Sequence, residues 1–189
     1  MRRKSQTRAL AILGITLFLT MSGSVAYYVT SETAHNIVST GGVSIKLYDQ
    51  ADPEGITPFN DLENISAGIT YSKIPYVENI SIEPVWVRAK LTLKKKTGDT
   101  ETIIDDISTL MELGEIGSSW IKADDGFYYY NQSLALEQKT EPILRTVRLK
   151  EEASEENTTY TFTVLTEATQ VAHNGTSAIT ASWTENGGE

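Results

Sequence analysis

The sequence predicts a mainly β protein, an antiparallel β-sandwich or jelly roll with one short helix, and three observations carry that prediction. Residues 85–93 (VWVRAKLTL) set Val85, Val87, Ala89, Leu91 and Leu93 on one face against Arg88, Lys90 and Thr92 on the other, the period of two that a half-buried strand requires. Residues 159–165 (TYTFTVL) alternate Tyr160, Phe162 and Val164 with threonines, and aromatic and β-branched residues suit a pleated, half-buried surface. Turn-rich joins separate these and other short runs, as in sandwiches and barrels.

Taken in order, residues 1–26 read as a secretory signal. Arg2, Arg3, Lys4 and Arg8 make a basic start and residues 9–21 (ALAILGITLFLTM) an apolar core. Ser24 and Ala26 then supply the small residues that precede a signal peptidase cut, here between Ala26 and Tyr27. A spanning helix wants about 20 apolar residues, a length reached only by counting Thr16, Thr20, Ser22 and Ser24, so an uncleaved signal anchor is the alternative. Residues 27–189 read as a single domain of 163 residues with no linker and no internal repeat.

Within that domain, Gly41-Gly42 turns the chain into residues 43–48 (VSIKLY), a strand with Val43, Ile45 and Leu47 on one face. Residues 49–68, with Pro53, Gly55, Pro58 and several acids, read as a long loop. The strand at 85–93 follows, closed by Lys96-Thr97-Gly98. Ile103, Ile104, Ile107, Leu110 and Met111 then recur at three- and four-residue spacing, which predicts the short helix, ended by Gly114. Residues 120–122 and 127–130 flank the turn Ala123-Asp-Asp-Gly126 and predict a hairpin. Strands at 143–149 and 159–165 enclose an acidic loop, and the tail from Val171 has no clear pattern.

Charge narrows the classes of partner. The chain holds 16 Lys+Arg against 25 Asp+Glu, and without the four bases of residues 1–26 the balance is 12 against 25, or −13. Such a domain is repelled by nucleic acid and by anionic lipid, so the membrane is expected to matter only through the signal peptide. The triplet Lys94-Lys95-Lys96 reads as a solvated strand end or turn. Cysteine is absent, which excludes disulfides and thiolate chemistry and, for an exported chain, fits a Gram-positive-type bacterium.

No motif announces catalysis. His35 and His173 are the two histidines and neither sits in His-Glu-x-x-His, so no zinc site, no cofactor and no enzyme activity is expected. There is no Gly-x-Ser-x-Gly elbow and no phosphate-cradling loop. The acidic pairs, Asp124-Asp125 among them, read as solvated charges, with weak calcium binding at Asp124-Asp125-Gly126 as the rival. Five Asn-x-Ser/Thr sequons, at Asn64, Asn79, Asn131, Asn157 and Asn174, read as exposed turns. Trp120 and Tyr128-Tyr129-Tyr130 form the densest aromatic patch, expected to pack mainly in the core with any exposed remainder available for contact.

Residues 24–32 (SVAYYVTSE), 36–47 (NIVSTGGVSIKL) and 160–170 (YTFTVLTEATQ) with Asn174-Gly175 resemble the TasA/camelysin-like exported proteins, whose signal peptides are processed by the signal peptidase SipW. Residues 74–79 (IPYVEN), 84–90 (PVWVRAK) and 126–131 (GFYYYN) are similar to a clostridial-type branch of such proteins. The resemblance implies a jelly-roll domain at the cell surface or in a biofilm matrix. It also implies fibres in which the mature amino-terminal strand of one subunit completes the sheet of the next. The donor segment would run from Tyr27 to Val38, with Tyr28, Val29, Ile37 and Val38 as its apolar residues, and the partners would be itself or related exported subunits. The metalloprotease activity assigned to camelysin-like members lacks its zinc signature here. A Leu-Pro-x-Thr-Gly signal is also missing, so covalent wall anchoring is not expected. The expected function is therefore structural, at the surface or in the matrix. A monomeric adhesion module using the aromatic patch is the alternative, and a secreted metalloprotease the third.

Overall fold

The structure, a computed structural model, describes residues 37–40, 43–52, 62–63 and 65–183, with side chains for 43–52 and 65–183. All of them belong to one compact unit, Glu32–Glu189. The signal peptide, the cut at Ala26–Tyr27, Tyr28, Val29, His35 and Asn64 lie outside the described residues. Among those described, no helix is long and apolar enough to cross a membrane.

Among the described residues, twelve strands form three antiparallel groups. β1 (Ile37–Thr40), β2 (Val43–Tyr48) and β5 (Tyr76–Asn79) pair in the order β1-β2-β5. The largest sheet runs β3-β12-β6-β10-β9, from β3 (Leu62–Glu63), β12 (Thr158–Gln170), β6 (Val85–Thr97), β10 (Tyr128–Tyr130) and β9 (Trp120–Lys122). β7 (Thr100–Ile104) also pairs with β6. β4 (Thr70–Ser72), β11 (Thr146–Leu149) and β8 (Met111–Leu113) complete the set in the order β4-β11-β8. The predicted all-β, antiparallel sandwich class is what the chain adopts.

The spine is the ladder between β6 and β12, in register from Val85–Gln170 to Thr97–Thr158. Alternation dictates its faces. Val87, Ala89, Leu91 and Leu93 point inward opposite Ala168, Thr166, Val164 and Phe162, and all eight are buried. One core joins them to Val43, Ile45 and Leu47 of β2, Val77 of β5, Met111 of β8 and Val147 and Leu149 of β11. All three sheets thus close on a single apolar interior.

Several local expectations change. The helical spacing of residues 103–111 yields no regular helix. Ile103 and Ile104 belong to β7, which folds back on β6 through the Gly98 turn (φ +58°), pairing Lys94 with Ile103 and Lys96 with Glu101. What remains is one 3-10 turn, Ile107–Thr109, whose cap Asp106 accepts the Ser108 N–H. The run Thr-Glu-Thr-Ile-Ile favours strand, and a partner edge was available. The same pairing draws Lys94, Lys95 and Lys96 into β6, with Lys94 and Lys95 bridging Glu101 and Glu155. Strand 143–149 begins only at Thr146, and the loop 49–68 contains β3.

Asn79 was expected in an exposed turn and is fully buried. Its amide donates to the carbonyls of Leu134 (2.9 Å) and Glu83 (3.0 Å) and accepts from the Ser81 N–H and hydroxyl. A buried amide with partners on every side is a structural bracket, here tying β5 to the entry of β6.

Candidate assembly edge and outer-face clamp

β1 is the outermost strand of its sheet. It pairs with β2 in the register Ile37–Lys46, Val38–Ile45, Ser39–Ser44 and Thr40–Val43, leaving two residues to connect the strands. Of the candidate donor residues, Ile37 and Val38 therefore fall within β1, while Tyr28 and Val29 are outside the described residues. Among the described residues β1 has no second ladder partner. Beside it runs β12, which pairs along its full length with β6 but on its other side meets β3 at Thr161 and Phe162. The sandwich thus presents a peripheral strand near a long strand whose outer ladder, among the described residues, is little used. Such edges are where another extended chain can add main-chain hydrogen bonds.

A second constellation covers the outer face of the large sheet. Arg88 alternates outward, as expected, yet it is buried because residues 171–183 fold back over it. Its guanidinium lies 3.9 Å from the Phe127 ring centroid and 4.5 Å from that of Trp183. Its Nε donates to Glu167 Oε2 at 2.7 Å and its Nη2 forms an ion pair with the same oxygen at 2.6 Å, and Nη1 donates to the Tyr129 hydroxyl at 3.3 Å. The planar cation can stack on both faces and donate at its edge at once. Tyr129 in turn donates to Asp125 Oδ2 at 2.5 Å. Burial opposes charge on Asp125, but the Tyr129 hydroxyl, the Phe127 N–H and nearby Arg88 together hold its carboxyl below the ordinary value. Burial pushes the Tyr129 hydroxyl up, with Asp125 adding to the effect.

The tail is pinned by polar as well as apolar contacts. Asn174 donates to Thr169 Oγ1 (2.8 Å) and accepts the Ser182 N–H (2.7 Å), while its carbonyl accepts from the Trp86 indole at 3.2 Å. Trp183 donates to the Ala178 carbonyl at 2.9 Å and meets Tyr129 edge-on. Trp86, Tyr129, Ala178 and Ala181 form a small second core there. Nothing in the sequence periodicity of residues 171–183 signals this. The unusual outward pair Trp86 and Arg88 was the available clue, since a solvated strand face rarely carries tryptophan.

The aromatic patch holds no exposed remainder: Trp120, Tyr128, Tyr129 and Tyr130 are 4–7% exposed. Tyr128 and Tyr130 enter the main core and Tyr129 the clamp. His173 is exposed in a left-handed turn (φ +58°). Among the described residues no three His, Asp or Glu side chains are grouped to hold a metal ion. Comparison with known proteins adds no relative, since no family model, no curated protein and no solved structure matches the chain.

Proposed function

We propose that this is a non-enzymatic, exported structural protein of the cell surface or biofilm matrix, of TasA/camelysin-like type and jelly-roll connectivity. In this reading it assembles by exchanging its mature amino-terminal strand between copies after signal peptidase cleavage at Ala26–Tyr27. One observation carries the reading: Ile37 and Val38, inside the candidate donor segment, lie in a terminal edge strand whose sole ladder among the described residues is with β2. A strand held by one ladder can leave its own β2 and take the same register on a neighbour's, conserving its hydrogen bonds while joining two subunits.

Electron microscopy of concentrated residues 27–189, beside the same protein without residues 27–38, tests it. Regular filaments from the first and dispersed particles from the second are expected. Equal polymerisation of both would remove the strand-exchange mechanism. The adhesion alternative loses its surface, because the aromatic patch on which it rested is buried.

A further inference from the structure

Lys73 is 1% exposed, and it is buried against an acid. Its ammonium nitrogen contacts the carboxylate of Asp49, whose side chain is 9% exposed, and the Phe162 ring centroid lies 5.9 Å from Nζ. The Arg88–Glu167 pair, by contrast, leaves Glu167 35% exposed. The main chain fixes the two residues independently of their side chains. Ile74 N–H donates to the Gln50 carbonyl (2.9 Å) and Gln50 N–H to the Ile74 carbonyl (3.3 Å), while Lys73 N–H donates to Arg145 (3.0 Å). An amine and a carboxyl are therefore held in contact, at the end of β2 and just before β5, in a site from which water is largely shut out.

We propose that Lys73 and Asp49 condense to an intramolecular amide, a covalent staple across the interior of the domain. One proton passes from the ammonium to the carboxylate within the pair, giving neutral amine and neutral acid. The Nζ–Cγ bond then forms, the Cγ–OH bond breaks, and a proton from nitrogen leaves with the hydroxyl as water. No oxidant, reductant or further reactant is consumed.

Three physical arguments favour the step. Burying two ions costs solvation that a direct pair only partly returns, and the amide carries no charge. Fixed contact replaces a bimolecular encounter and raises the effective concentration by orders of magnitude. Exclusion of water from the site suppresses the reverse hydrolysis. The product would also do for this cysteine-free chain what a disulfide does elsewhere, closing the loop from 49 to 73 and restricting the unfolded state. The inference is independent of strand exchange and survives if filaments never form.

The test is the mass of the natural, folded protein. An intact mass one water below that of the recovered sequence is expected. Trypsin should then fail at Lys73 and release residues 47–88, one water light, in place of 47–73. Digestion after Glu54 and Glu63 should leave the fragments bearing Asp49 and Lys73 joined. Lys73→Met should restore the full mass; if that variant fails to fold, the wild-type map decides alone. Full mass with normal cleavage at Lys73 overturns the proposal. So does a lost water that maps to Asp125-Gly126, which marks a succinimide.

Discussion

Replacing Arg88 with lysine keeps the charge and the aliphatic stem, so any loss reports on the planar guanidinium. Arg88 stacks between Phe127 at 3.9 Å and Trp183 at 4.5 Å and meets one oxygen of Glu167 with a hydrogen bond from Nε and an ion-pair contact from Nη2. A cation over an aromatic ring contributes about 0.5–1 kcal/mol when exposed and about 2 kcal/mol when desolvated. A compact ammonium reaches one ring and one carboxylate bond, forfeiting the second of each. One partly desolvated ring contact and one charged hydrogen bond together amount to about 2 kcal/mol. For the 163-residue domain of residues 27–189, with about 2–4 °C per kcal/mol at this size, Arg88→Lys should lower Tm by roughly 4–8 °C. Denaturant unfolding measures the free energy, and limited proteolysis reports whether residues 171–183 are released first. A change below about 0.5 kcal/mol, the range of an ordinary surface substitution, would refute the clamp.

Three further outcomes follow from the same contacts. Phe162→Ala, emptying a fully buried site opposite Leu93, should cost about 3–5 kcal/mol in denaturant unfolding. Asn79→Ala should cost about 2 kcal/mol, since it leaves the buried Ser81 N–H without its acceptor, at about 1–3 kcal/mol for an unsatisfied group, while the carbonyls of Leu134 and Glu83 keep the Val85 N–H and the Ser81 hydroxyl; a loss under about 1 kcal/mol counts against the bracket. Asp125 has its carboxyl held below the ordinary value in the folded state, so its contribution is present above the unfolded value, about 3.9, and is lost as pH falls through the folded one. Near-ultraviolet dichroism of the Tyr129–Trp183 contact should therefore fade in acid, and Asp125→Asn should remove that part of the transition.

The legible parts of the sequence were those where one period governed one face. β2 and the start of β12 alternate cleanly and their inward residues are the buried ones, while in β6 the inward residues are buried together with the outward Trp86 and Arg88. Residues 103–111 misled because apolar residues at helical spacing also fit a hairpin strand followed by a turn. What settled the matter was a pairing edge on β6 three to eleven residues away, from Thr97–Thr100 to Leu93–Ile104, which periodicity does not see. Arg88 pointed outward as read, but its burial depends on a distant segment folding across the sheet. Lys73 carried no local signal, because its partner Asp49 lies 24 residues back. Of the candidate assembly residues, Ile37 and Val38 fall in an edge strand whose register with β2 ends at Thr40–Val43.

The strand-exchange account is tested most directly by a pair of cysteines placed in a chain that has none. Ser39 and Ser44 are register partners in the β1–β2 ladder, so Ser39→Cys with Ser44→Cys should close a disulfide wherever β1 sits. Oxidised after assembly and run without reductant, the double variant should give a ladder of covalent multimers, because each β1 would pair with a neighbour's β2. A single monomeric band, from a sample that electron microscopy shows to be filamentous, would mean that β1 stays with its own chain and that the filaments are built some other way.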